Sequence, residues 1–366
     1  MEKAQLDQNS HMDDAAEDIN RATRSTSTTS IVEYLRRESP EFRRLRGLQQ
    51  KGWNNPAGDT YFRNQRRNAD NANQRTAQRF YDMMKQSATE IHQLTGIFCF
   101  TSPNPDTHRI LDTCMAPGGF LATALALNPT AQALAFTLPQ TQGGHAVLSP
   151  LHPGITTKFL DITLLAADMG ITQPSISIPP SHPDAANFIH TPQLSNGPFD
   201  LALCDGQVLR TQPRAPYREA PTKEATRLIT SQLSLAVTHL KPGGSLLLLL
   251  SKVEAVDSIR LIHTFDTFAD VRLVKPSRAH KTRSSFYLLA RGVRSGSAEA
   301  RGAVERWKQV WGVATFGTDE EYQKLVGEEA VFVEKLLQDF GPKLIELARG
   351  VWNVQADALE RAPFVR

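Results

Sequence analysis

Cysteine is scarce in this chain. Cys99, Cys114 and Cys204 are the only three in 366 residues, with no paired spacing and no metal-ligand cluster. That excludes a disulfide-built secreted scaffold and fits a reducing compartment. Long apolar runs are missing too. A run such as Leu246 to Leu250 is far too short to cross a bilayer. The opening residues, Met1-Glu-Lys-Ala-Gln-Leu-Asp-Gln, contain no apolar segment of the kind a secretory signal needs. These absences describe a soluble intracellular protein, cytoplasmic or nuclear, with no membrane partner. Neither Gly-x-Gly-x-x-Gly nor Gly-Lys-Ser/Thr occurs, which disfavours a dinucleotide or a nucleoside triphosphate. No internal repeat is apparent. Charge of one sign is not in large excess either: the net charge of +3 says little about partners.

What is present begins with a hydrophobic share of 40% against 22% charged residues, enough for a globular core. The length suits an α/β domain with extensions. The chain is organised around Ile110 to Phe120, which reads Ile-Leu-Asp-Thr-Cys-Met-Ala-Pro-Gly-Gly-Phe. An apolar pair runs into Asp112, a small glycine-rich turn follows, and Phe120-Leu-Ala-Thr-Ala-Leu-Ala-Leu reads as a helix. This is the strand–turn–helix start of a nucleotide-type cofactor site. Gly118 and Gly119 would let the backbone approach a ligand where a Cβ would collide with it. Pro117 stiffens the turn without needing a backbone donor.

Strand and helix patterns then alternate, the signature of a mostly parallel sheet. Strands are expected at Arg109–Asp112, Ala133–Leu138, Thr157–Asp161, Phe199–Asp205, Ser245–Ser251, Val271–Val274 and Ser285–Ala290. Helices are expected at Gly119–Leu127, Thr222–Leu240 and Val256–Phe268. Ile171 to Pro198, rich in Pro and Ser, reads as a surface insertion. In an open α/β sheet ligands sit outside the C-terminal strand ends, and here Asp112, Asp161, Asp205 and Lys252 occupy four such ends.

Outside this unit, residues 1 to about 29 are polar and read as disordered. Ser30 would cap a short helix, and Trp53 to Asn73 is a polar interval with Asn-Asn-Pro and Gly-Asp turn signals. Arg75 to Gly96 has helical spacing and leads into the main domain. Two helical stretches, 298–313 and 319–347, would pack on that domain or on a protein partner. The division expected is therefore 1–74, 75–295 and 296–366. Between Arg36 and Arg79 eleven Arg and Lys residues stand against Glu38, Glu41, Asp59 and Asp70, with Tyr34, Phe42, Trp53, Tyr61, Phe62 and Phe80 interleaved. Such a segment either tracks phosphates while its rings stack on bases, or is a solvated helical face whose rings dock on the main domain.

The string Asp112-x-Cys114-x-Ala116-Pro117-Gly118-Gly119-Phe120 resembles motif I of the FtsJ-like S-adenosylmethionine-dependent RNA 2′-O-methyltransferases, and the resemblance extends over about 75–292. It implies a Rossmann-like methyltransferase fold, α/β, with helices on both faces of the sheet and helical extensions at both ends. It also implies S-adenosylmethionine as cofactor and RNA as partner. Asp112, the turn 114–120, Leu138, Asp161 and Asp205 match the cofactor-holding positions. Asp205 and Lys252 match the catalytic acid and lysine of the family's Lys-Asp-Lys-Glu tetrad, and Lys85 is the best candidate for its first lysine. A lysine made less basic by burial and a second cation could take the proton of a ribose hydroxyl or steady the developing alkoxide. Ser285 stands where the family has the final Glu, and a serine supplies no negative charge; Glu254 is the nearest acid in sequence to Lys252. Two alternatives stay open on the sequence: a degenerate domain that binds cofactor or RNA without methylating, and a methyltransferase acting on a small molecule.

Overall fold

The computed structural model describes residues 25–70, 74–100, 108–149, 152–171, 178, 182–194, 197–208, 221–326 and 330–365. The expected disorder of the first residues lies largely outside that range. Four helices come first: α1 (Ser25–Glu38), α2 (Pro40–Trp53), α3 (Pro56–Asp70) and α4 (Gln74–Thr95). The sheet unit follows as β1 (Arg109–Asp112), α5 (Gly119–Leu127), β2 (Gln132–Thr137), β3 (Ile155–Phe159), β4 (Phe199–Cys204), α6 (Pro221–His239), β5 (Leu240–Ser251), α7 (Val256–Asp266), β6 (Asp270–Val274) and β7 (Ser285–Val293). It closes with α8 (Ala298–Phe316), α9 (Asp319–Val326) and α10 (Ala330–Glu360).

The strands form one seven-stranded sheet in the order β3-β2-β1-β4-β5-β7-β6. β7 runs antiparallel to both neighbours while the other pairs are parallel. Strand alternation divides the core between two faces. Ala202, Cys204, Leu246, Leu248, Phe286 and Leu288 belong to one apolar cluster, with α6, α7, α8 and α10 packed on it. Leu201, Leu203, Leu247 and Leu289 belong to the other, under α4 and α5. With helices on both faces, β4 is buried at every residue, as its apolar string, broken only by Asp200, requires. This is the Rossmann-like α/β architecture expected.

The extensions differ from the sequence reading. Asn-Asn-Pro at 54–56 is a turn, but it also starts a helix. Asn55 Oδ1 accepts the Ala57 backbone N–H at 3.0 Å, and Pro56 takes the first helical position, where no donor is needed. The polar interval after Trp53 is therefore α3. Ser39 caps α2, its hydroxyl accepting the Phe42 N–H at 3.1 Å. Two aromatic rings of this region dock on the C-terminal segment: Phe42 lies 5.1 Å from Trp352 of α10, and Tyr61 lies 4.8 Å from Phe364, just past its end. In the insertion, Phe188 is buried 5.4 Å from Phe316 at the end of α8, so its described part is held to the body. None of the described helices is long and apolar enough to cross a membrane.

Candidate active site

β1, β2, β3, β4 and β5 end on the same edge of the sheet. Asp112 closes β1, and Asp205 follows β4 directly. These strands are neighbours, so the two acids stand side by side, Asp112 buried and Asp205 half-buried. Burial first, then the charge of Asp205, pushes the Asp112 carboxyl well above the usual range; the hydrogen bond from the Cys114 backbone N–H to its Oδ1, at 3.1 Å, pulls the other way. Burial also raises Asp205. Next to Asp205 is Tyr287 of β7, whose phenol is pushed up by burial and then by that carboxylate. Its ring packs 5.3 Å from Phe120 of the motif turn.

Two positions that no motif singled out fix this arrangement. Gln232 of α6 is fully buried behind the strand ends. Its Oε1 accepts the Gly206 backbone N–H at 2.9 Å, its Nε2 donates to the Gly206 carbonyl at 3.2 Å, and the Thr113 hydroxyl lies 3.3 Å from that Oε1. One amide therefore ties together the residues that follow Asp112 and Asp205. Thr113 in turn donates its backbone N–H and its hydroxyl to the Leu203 carbonyl, each at 3.0 Å. A buried Gln in a helical pattern carries no mark in the sequence, so only the fold shows it.

The motif turn needs its glycines for its packing within the protein itself. Gly118 has φ +103, a backbone state that L side chains avoid, and a Cβ there would lie 2.9 Å from Ser149. A Cβ on Gly119 would lie 2.5 Å from Met84 and 2.8 Å from the Tyr81 carbonyl. The close approach is thus to α4 and to the segment ending at Ser149, part of the protein itself. The Pro117 carbonyl accepts the backbone N–H groups of Leu148 and Ser149 at 3.0 and 3.2 Å, so the loop after Leu138 folds back over the turn. Ala116–Pro117 is a cis peptide. Cys114 is half-buried and Phe120 buried.

Asp161 sits past the end of β3, buried. It accepts the Thr163 backbone N–H at 2.9 Å and the Thr163 hydroxyl at 2.8 Å, and the Thr163 carbonyl accepts the Trp311 indole N–H at 3.1 Å. Helix α8, beyond the sheet unit, thereby anchors one side of the crevice.

The lysines are placed differently. In the β4–β5 register Cys204 pairs with Leu248, so Lys252 stands three residues past the level of Asp205, roughly 10 Å along the strand. No hydrogen bond or ion pair joins it to Asp205 among the described residues, and its side chain is exposed. The burial that the tetrad reading asks of Lys252 is therefore missing, because β5 projects beyond β4. Its φ of 55 is left-handed, a conformation that costs a lysine energy and turns the chain at the strand tip. Glu254 is buried and faces Arg46 of α2. Lys85 is exposed on α4, with its Nζ 5.6 Å from the Tyr81 ring centroid, and lines a groove with Asp82, Glu90 and Arg278. Ser285 is half-buried, and its carbonyl accepts from Lys275 Nζ at 2.5 Å. The structure gathers Asp112, Asp205, Tyr287 and the motif turn, and leaves Lys85 and Lys252 at the rim.

A mostly parallel seven-stranded sheet with one reversed strand, helices on both faces, a glycine turn after β1 and acids at the strand ends is a Rossmann-like fold. A model of the FtsJ-like methyltransferase family matches residues 89–293. That is more than half of the chain, which belongs to this family. Among solved structures, the chain is similar to a ribosomal RNA methyltransferase from Plasmodium falciparum (15% identity, 57% of this chain and 97% of that one, TM-score 0.35). It is also similar to an rRNA methylase from Streptococcus thermophilus (11% identity, 58% of this chain and 92% of that one, TM-score 0.30). A third is TrmN from Thermus thermophilus (16% identity, 56% of this chain and 48% of that one, TM-score 0.30). No curated protein matches the sequence.

Proposed function

We propose that this methyltransferase uses S-adenosylmethionine and acts on a ribose 2′-hydroxyl of RNA, through a catalytic domain at 75–295 flanked by extensions at 1–74 and 296–366. The observation that carries the cofactor is the acid pair. Asp112, buried, stands beside half-buried Asp205, and among the described residues no cation is one of the groups that set their charge. S-adenosylmethionine carries an ammonium and a sulfonium, so its chemistry suits such a donor set. When bound, it supplies an electrophilic methyl group. The chain's residues bind and orient: Asp112, the turn 114–120 and Asp205 hold the methionine part, while Leu138 and Asp161 hold the adenosine part. In-line transfer to oxygen needs an aligned hydroxyl and little else. Once substrate draws these rim side chains inward, Lys252 would steady the developing alkoxide as an ammonium or, having first released its own proton to water, take the hydroxyl proton on Nζ, with Asp205 orienting and Lys85 as second cation.

Calorimetric titration with S-adenosylmethionine tests the cofactor, and Asp161→Ala should lose the binding. Transfer to RNA tests the rest: Lys252→Ala should abolish it and spare cofactor binding, and unchanged transfer would reject the lysine's role. A second reading is favoured by one observation. With Ser285 in the Glu place and Lys252 exposed past the level of Asp205, the domain would bind cofactor or RNA without methylating. Restoring Glu at 285 with no gain in any RNA assay would put that reading ahead.

A further inference from the structure

The N-terminal helices leave one indole in water. The chain has four tryptophans. Trp307, Trp311 and Trp352 are 6%, 1% and 1% exposed, while Trp53 at the end of α2 is 51% exposed. The Arg46 guanidinium covers this indole at 5.0 Å from the ring centroid. Arg46 is itself half-buried. Its Nη1 donates to Gln49 Oε1 at 3.0 Å, while its Nε is shielded from water with no hydrogen-bond partner among the described residues. Its charge is felt by two neighbours, Glu254 and Arg36. Glu254 lies two residues beyond Lys252. Gln65 of α3 meets Arg283 at 3.1 Å, and the carbonyl of the next residue, Ser284, accepts the Lys252 backbone N–H at 3.2 Å, so the N-terminal helices border the strand tip that carries the proposed general base.

The pair is held in a rigid frame. Asn54 donates its backbone N–H to the Gln50 carbonyl at 3.0 Å, and Asn55 Nδ2 donates to the Phe364 carbonyl at 3.0 Å. Gly52, next in the chain, is buried with Phe364 as its neighbour. An indole fixed half in water, with a cation over the ring and an exposed arginine, Arg36, close by, is suited to one kind of ligand. Unpaired bases stack on aromatic rings and on guanidinium planes, and the adjoining phosphate seeks a cation. A folded duplex offers no free base face and would not use it.

We propose that Trp53 and Arg46 form a stacking site for an unpaired RNA base that neighbours the nucleotide presented to Lys252. This rests on the RNA-methyltransferase reading above and adds where the strand is gripped. The occupant is single-stranded RNA, and the site asks for a base without naming which.

The test uses the full chain, an unstructured oligouridylate of about ten nucleotides, and an RNA duplex of the same length. Because the other three tryptophans are buried, Trp53 dominates the fluorescence that a stacking base can quench. The single strand should quench the intact protein and the duplex should not. Trp53→Ala should weaken single-strand affinity roughly ten- to hundredfold, and Trp53→Phe should restore most of it. Cofactor binding measured by calorimetry should be the same in all three proteins. Quenching by the duplex alone, equal affinity in the intact and Ala proteins, or equal loss in Phe and Ala would each overturn the stacking site while leaving the methyltransferase reading standing. If the intact protein binds cofactor but neither RNA, the site and the RNA reading fall together. If Trp53→Ala does not fold, quenching of the intact chain decides alone.

Discussion

Asp112 is buried and feels the charge of Asp205, and Asp205 is itself partly withdrawn from water, so each keeps its proton to a higher pH than an ordinary aspartate. The sign of the consequence follows from linkage. The folded state holds these protons more tightly than the unfolded chain, so its advantage is complete in acid and is lost as the pH rises through the folded value, about 7 for Asp205. The melting temperature of the ligand-free chain should fall from about pH 5 to about pH 8, less steeply in Asp205→Asn. A cation bound between the acids reverses the balance, so affinity for S-adenosylmethionine should rise over the same window and lose that rise in Asp205→Asn. Calorimetry at several pH values reads both, and a flat affinity profile in the intact chain would mean that the pair does not meet the cofactor's charge. Gln232 acts at the same scale. Gln232→Leu removes the amide from the part-buried backbone groups of Gly206, a loss of about 1 kcal/mol. Cofactor affinity should weaken with it, whereas a stability loss alone would make Gln232 a packing residue only.

At the scale of elements, the strands were legible because periodicity is a local property. Phe199 to Cys204 is apolar at nearly every position, and only a central parallel strand needs that. The acids could be placed for the same reason, since Asp112 and Asp205 directly follow apolar runs. What could not be read was register. The three-residue projection of Lys252 past Asp205 depends on how β5 pairs with β4, and no local pattern encodes it. The N-terminal helices escaped for another reason: α3 is polar almost all round, and its few apolar rings, Tyr61 and Phe62, find their partner, Phe364, 300 residues away. Lys275 was equally hidden. It directly follows β6, is buried, and donates to the carbonyls of His280, Arg283 and Ser285 at 3.3, 2.6 and 2.5 Å. One ammonium thus gathers the β6–β7 connection, which carries Arg278 and Lys281 at the rim. Lys275→Met should free that loop and destabilise the chain by about 2 kcal/mol or more. Faster hydrogen exchange confined to 276–285 would support this, and unchanged exchange there would remove Lys275 from the loop's support.

At the scale of the whole molecule, the extensions share the sheet's core. Ile31, Leu35, Phe42 and Leu45 from the N-terminal helices belong to one continuous apolar cluster with Leu246 and Leu248 of β5 and with Leu344 and Trp352 of α10. Arg44 adds ion pairs to Asp357 and Glu360, each at 2.7 Å, but these are exposed and worth little. Apolar burial therefore does the holding. Removing residues 1–74 would uncover Trp352 and Phe364, and side chains of this size each contribute about 1.5–3 kcal/mol when fully buried. A chain cut at 75 should accordingly unfold at much lower temperature or aggregate, although it keeps every residue assigned to cofactor and hydroxyl. It would also lose Arg46 from Glu254 and Gln65 from Arg283, which Gln65 Oε1 meets at 3.1 Å. Thermal unfolding of the full chain should show one transition. If it shows two, or if the shortened chain melts at the same temperature and binds cofactor as tightly, the N-terminal helices are an appendage to a self-sufficient domain, and any role they have in gripping RNA is separable from folding.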